Sequence, residues 1–242
     1  MNPFFAIFIS FFLSYSISAQ GLKDLQKKAS GAIKSNGAAP AFTEEEAAKA
    51  LKEAFTKGTE WGVALVSKEN GYFGNPKIKI PFPPDAQQVE TKLRSMGMSP
   101  LCDDVILSLN RAAEDAAPQA KAIFIKAIQS MTLTDAIQLV NGTEQSGTDF
   151  LKKTTRTDLV TAFKPVVQTS LDKVGATRLW TQATGTYNKI PLIQKVNPDL
   201  VHFATQKAVD GLFAMVAEEE KKIRKDPLAR SSELLKKVFG SR

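Results

Sequence analysis

Residues 197–242 read NPDLVHFATQKAVDGLFAMVAEEEKKIRKDPLARSSELLKKVFGSR, and this stretch decides the fold. Val201, Ala204, Ala208, Leu212 and Met215 recur at helical spacing, so a long helix with one apolar stripe is expected. Asn197 and Pro198 make a good N-cap and N1 pair for it. At about 100° per residue, Asp210 faces away from the stripe while Glu219 falls on its line. The apolar surface therefore runs out near Met215 and Val216, and beyond that the helix is either solvated or bound to something. Ile223 returns to the apolar side, which keeps the second option open. Asp226-Pro227 ends the helix. In the short tail that follows, Leu234, Leu235, Val238 and Phe239 share one side and Lys236 and Lys237 the other, as in an interfacial helix; a tail that folds back to cap the bundle is the equal alternative.

The rest of the chain repeats this pattern on a smaller scale. Thr43 and Glu46 form a capping box, and Ala47, Leu51, Ala54, Phe55, Trp61 and Leu65 follow at helical spacing up to Asn70-Gly71. Asp85 with Gln88, Ser99-Pro100, Pro118, and Thr132 with Asp135 mark further helix starts. Leu159, Phe163, Val167, Leu171 and Val174 form another stripe, closed by Gly175, in which Pro165 is expected to introduce a kink. Between the helices, residues 75–84 read NPKIKIPFPP, an extended segment whose prolines forbid a central strand. A similar phrase, NKIPLI, returns at 188–193. The expectation is an all-α protein, a single bundle of about eight or nine helices with at most a minor two-stranded β element.

Three segments are expected: a signal peptide over 1–19, a basic and small-residue linker over 20–42, and one all-α domain over 43–242 with a basic tail helix. Residues 4–17, FFAIFISFFLSYSI, form an apolar run that leads into Ser18-Ala19-Gln20, the form of a secretory leader. An uncleaved anchor is the alternative. After cleavage no transmembrane span is expected, and the protein is exported, periplasmic or secreted.

The whole chain carries +7. Residues 21–35 hold four lysines and one aspartate, and residues 221–242 hold eight basic residues against two acids. Those ends account for +3 and +6, which leaves −2 for 36–220. Positive charge at the two ends suits an anionic lipid surface or an acidic envelope partner. Nucleic acid is not expected, because no aromatic platform is interleaved with the basic residues.

Chemistry is thinly represented. Cys102 and His202 are the sole residues of their types, which rules out an intramolecular disulfide and paired-cysteine or paired-histidine metal sites. Ser170 to Lys173 matches S-x-x-K without the other elements of that enzyme class. Carboxylates could converge on a divalent cation, and Arg111, Glu114, Asp115 and Asp210 form a candidate polar cluster. The plainer reading is helix-face ion pairs, such as Glu220 with Arg224. No cofactor is implied.

Several phrases in order resemble one bacterial family, catalogued as domain of unknown function 4197. They are Asn75-Pro-Lys-Ile-Lys-Ile-Pro, Asn110-Arg-Ala-Ala-Glu-Asp-Ala-Ala-Pro118, Met131-Thr132 with Asp135-Ala136, and Phe163-Lys-Pro-Val-Val-Gln-Thr-Ser-Leu-Asp-Lys-Val-Gly175. Lys207-Ala-Val-Asp-Gly-Leu-Phe213, Glu218-Glu219-Glu220, Ile223-Arg224 and Pro227 complete the set. The resemblance implies an exported envelope protein and no particular reaction. The residues and the resemblance together suggest a non-enzymatic binding or scaffold protein. Its candidate interaction surface is Glu219, Lys222, Ile223, Arg224, Arg230, Leu235, Lys236, Lys237 and Phe239. A carrier of an apolar ligand in the helical core and a carboxylate- or metal-dependent enzyme are the alternatives.

Overall fold

The computed structural model describes residues 43–189, 191–192, 194–197 and 199–240; the expected leader and linker, and Pro198, lie outside the described residues. Among the described residues the chain forms nine α-helices and no strand. They are α1 (Glu44–Val66), α2 (Gln87–Ser95), α3 (Ser99–Ala116), α4 (Ala120–Ser130), α5 (Leu133–Val140), α6 (Ser146–Lys173), α7 (Ala176–Tyr187), α8 (Leu200–Lys225) and α9 (Glu233–Gly240). Short 3-10 turns precede α2, α4 and α9.

Helix starts follow local chemistry where a side chain is at hand to accept the first N–H groups. Thr43 accepts from the Glu46 N–H at 3.2 Å while Glu46 accepts from the Thr43 N–H at 2.9 Å. Thr132 and Asp135 repeat the exchange at 3.1 and 3.0 Å. Two other starts differ from expectation. Asp85 does not cap α2; it accepts from the Asn197 N–H at 3.0 Å, 112 residues away. Helix α8 begins at Leu200, with Asp199 as its cap accepting from the His202 N–H at 2.8 Å.

The centre is built by α6, α8, α3 and α1, which pack on one another along their lengths. Leu159, Phe163, Val167 and Leu171 of α6, Ala204, Ala208 and Leu212 of α8, and Leu51 of α1 are fully buried. Burial of each large aliphatic side chain contributes roughly 1.5–3 kcal/mol. Ala112, Ala113, Ala116, Ala117 and Ala120 are also fully buried, and their small size lets α3 and α4 approach their neighbours closely. Phe124 meets Phe213 edge-on at 5.8 Å between centroids. Pro165 lies inside α6, which is nonetheless one helix of 28 residues. The stripe ends before Val174, which is exposed, and Trp61 is 38% exposed on the outer side of α1.

The extended segment after α1 buries Ile78, Ile80 and Phe82, as their alternation suggests. Among the described residues it has no strand partner. The Asn110 side chain takes that place: its amide donates to the Ile80 C=O at 2.8 Å and its oxygen accepts from the Ile80 N–H at 2.8 Å. A buried peptide group is thereby satisfied on both sides.

Two glycines are fixed by close approach. A Cβ on Gly211 would lie 2.6 Å from Cε1 of buried Tyr72. A Cβ on Gly147, at the start of α6, would fall inside the Phe55 ring. Gly147→Ala should therefore cost about 3 kcal/mol through overpacking. Gly185→Ala, with no atom within 4 Å of the new methyl, should be neutral or stabilising by up to about 1 kcal/mol in a helix interior. Urea denaturation of the two variants checks the contrast.

Candidate functional site

The residues singled out around the chain's end do not form one exposed face. Glu220 is 6% exposed and lies at the start of α6. One carboxylate oxygen accepts from the Gly147 N–H at 3.0 Å, and the other accepts from the Thr148 N–H and hydroxyl, both at 2.7 Å. Arg224, one turn on, donates to Glu220 from Nε at 2.9 Å and Nη2 at 2.8 Å. The same guanidinium reaches the last turn of α5, donating to the Leu139 C=O at 2.9 Å and the Val140 C=O at 3.4 Å. The anion thus sits on a helix N-terminus and the cation on a helix C-terminus, which is the favourable sign at each dipole end. The i,i+4 pair read from the sequence exists, but it is an interior clamp that joins α5, α6 and α8.

Arg230 does similar work at the end of α8. It is buried and donates to the Ile223 C=O at 3.1 Å and the Arg224 C=O at 2.9 Å. The tail helix α9 then lies on α1 with Leu235, Val238 and Phe239 buried. Ile223 is buried too, and Phe239 lies 5.7 Å from the Arg224 guanidinium carbon. The stretch beyond Val216 is therefore bound, and what it binds is this chain.

Of the nine surface candidates, Ile223, Arg230, Leu235 and Phe239 are interior, and Arg224 faces the clamp. Lys222, Lys236 and Lys237 remain exposed, each beside an acid: Glu219 at 3.2 Å, Glu233 at 2.7 Å and Glu46 at 2.7 Å. Lys222 also lies 4.2 Å above the Trp61 ring, a cation–π contact that covers part of this tryptophan.

The polar cluster divides into three. Arg111 and Glu114 stay together at 2.5 Å, and buried Glu114 accepts from the N–H groups of Tyr72 at 3.0 Å and Phe73 at 3.1 Å. Asp115, one residue on, accepts from the Ser170 hydroxyl at 2.6 Å. Asp210 pairs with Arg156 at 2.6 Å. Tyr72 was not signalled by the sequence; its hydroxyl donates to the Ala208 C=O at 2.5 Å, and burial, reinforced by the Glu114 charge, pushes its phenol well above the usual range. Burial likewise raises the Cys102 thiol, as expected of a small packed side chain.

Among the described residues, no group of three or more His, Cys, Asp or Glu side chains is placed to hold a metal ion. An apolar hollow of about 40 Å³ lies between α2, α3 and α7, lined by Val89, Leu93, Val105 and Trp180. A shallow groove of about 560 Å³ between α4 and α6 is lined by Ile123, Lys126, Thr154, Asp158 and Thr161. No helix of the described residues is long and apolar enough to cross a membrane.

Two measurements test the clamp and the tail contact. Glu220→Ala leaves Arg224 buried without its partner and should cost about 3–5 kcal/mol in urea denaturation. The Glu46 carboxyl is held below its ordinary 4.5, first by the hydrogen bond from Lys237 and then by the Thr43 N–H. Its contribution is therefore complete above 4.5 and fades as pH falls through the lower folded value. Carboxyl NMR should find that midpoint below 4.5, and Lys237→Met should raise it.

No curated protein and no solved structure matches the chain. Residues 41–240 match the family described as Protein of unknown function (DUF4197), which covers the whole of the helical body just described. The chain belongs to that family.

Proposed function

We propose that this protein is a non-enzymatic, exported protein of the cell envelope, a rigid helical body that meets an anionic membrane surface or an acidic partner through its basic exterior. The observation that supports this reading is the commitment of the buried acids. Glu220 and Glu114 give their oxygens to backbone N–H groups and to Arg224 and Arg111. A general acid or base must keep a proton-transfer position within reach of a substrate. These carboxylates use theirs to hold helix ends and a loop in place.

The exterior carries the remaining chemistry. With the apolar side of α9 turned onto α1, Lys222 near the end of α8 and Lys236 and Lys237 of the tail face outward. Their acidic neighbours soften the local field, so the contact is weak and screened by salt. A carrier role in the core gains less support, since the apolar hollow of about 40 Å³ falls far below the roughly 300–1,000 Å³ of ligand pockets. The groove of about 560 Å³ between α4 and α6 is a shallow surface feature whose lining includes Lys126, Thr154, Asp158 and Thr161.

Co-sedimentation of the chain, as recovered from envelope extracts, with phosphatidylglycerol or phosphatidylcholine vesicles tests the reading. Association with the anionic vesicles alone is expected, falling steeply as salt is raised. Replacing Lys222, Lys236 and Lys237 by Gln should weaken it. Salt-insensitive binding to both lipids would contradict the reading, and no binding to either would contradict its membrane form and leave the acidic partner.

A further inference from the structure

The loop that links α7 to α8 has a fixed base. Asn188 acts on Val196 as a strand partner would: its side-chain oxygen accepts from the Val196 N–H at 2.8 Å and its amide donates to the Val196 C=O at 2.8 Å. Val196 itself is buried. Next to it, the Trp180 ring N–H donates to the Asn197 C=O at 3.2 Å, and Asp85 accepts from the Asn197 N–H at 3.0 Å. Val196 and Asn197 are thereby tied at one point to Asn188, Trp180 and Asp85.

Above that base stands Leu192, with a relative exposure of 107%. Its φ is 63°, in the left-handed region that a leucine adopts only at a cost. The fold gains no apolar burial from this side chain, although the base that presents it is tightly tied. Lys189 and Lys195 flank it, both exposed, and no Asp or Glu occurs from 188 to 197. Leu228 is nearly as exposed at 93%, but it directly follows Asp226-Pro227, and the nearest exposed cation in sequence, Lys225, is paired with Glu144 at 2.5 Å.

We infer that Leu192, carried between Lys189 and Lys195, enters the interfacial layer of an anionic bilayer. An apolar tip does so readily when flanking lysines keep their ammonium groups among lipid phosphates. A second protein is the less fitting occupant, because a stable protein interface needs about 800 Å² from each side, far more than one convex loop presents. The contact is a shallow, reversible one of the kind that needs a second attachment for firm anchoring. This inference rests on the reading that the protein contacts an anionic surface.

The test places an environment-sensitive dye at the tip. Leu192→Cys is labelled with a nitrobenzoxadiazole dye, Leu228→Cys serves as its companion, and buried Cys102 stays unlabelled. Each labelled chain is mixed with vesicles of phosphatidylglycerol and phosphatidylcholine, or of phosphatidylcholine alone. Circular dichroism first confirms that the helices of every variant are intact. The expected result is a blue shift and brighter emission at 192 on the anionic vesicles alone, with no change at 228. Leu192→Glu in the unlabelled chain should lower the vesicle-bound fraction by about tenfold, as expected when an inserting side chain is made anionic. If the chain sediments with anionic vesicles while the dye at 192 stays in water, the loop assignment is wrong and the broader reading survives. If the chain does not sediment at all, the loop assignment and the membrane form of the broader reading both fail. A shift at 192 that appears with envelope protein and not with lipid would overturn the assignment in favour of a protein partner, and equal shifts at 192 and 228 would overturn it as non-specific adsorption.

Discussion

Glu220 has to be matched by donors wherever it is buried, because an ionised carboxylate left unpaired in the interior costs several kcal/mol. The structure meets that demand with the first N–H groups of α6 and with Arg224. Satisfying the acid then fixes where α6 begins relative to α8. Satisfying the arginine fixes where α5 ends, because its remaining N–H groups reach the carbonyls of Leu139 and Val140. Phe55 can lie against this junction only because residue 147 has no side chain. One ion pair therefore sets the relative positions of three helices, and α1 and α9 close over it.

The same logic holds the other irregular part of the body in place. Glu114 gathers the N–H groups of Tyr72 and Phe73, Asn110 satisfies Ile80 on both sides, and Tyr72 ties the segment to α8 through Ala208. These three side chains organise backbone that no regular ladder satisfies. No buried side-chain nitrogen or oxygen of the described residues lacks a partner. An interior so fully engaged directs the search for function outward, to charged helix ends and to the loop that lifts Leu192 clear of the body.

Sequence legibility followed the range of the interaction. The capping boxes at Thr43 and Thr132 were legible because donor and acceptor lie three residues apart. The stripes on α6 and α8 were legible because helical periodicity is local, and so was the all-α architecture built from them. What was missed acts across long separations. Asp85 carried the signature of a local cap, but its carboxylate serves Asn197. Glu219 was placed on the stripe by angle alone, yet Glu220 is the more deeply buried, because α6 supplies donors 72 residues away in sequence. Arg111, Glu114, Asp115 and Asp210 were grouped by charge, and the fold separates them: neighbouring residues on α3 point about 100° apart, so Asp115 turns to Ser170 while Glu114 turns to Tyr72. The tail's apolar side was visible in the sequence, and its folding back onto the bundle was one of two open readings; that α1 is the helix covering it was not visible.

The central claim is that the charged end of the chain is part of the interior architecture, held by the clamp and by Arg230. Native-state hydrogen exchange on the intact protein tests it most directly. The account predicts that the amides of Gly147 and Thr148, and those in the second half of α9, are protected to nearly the same degree as the middle of α8. If the α9 amides exchange at the rate of an unfolded peptide while α8 stays protected, the tail is not docked and the account is wrong.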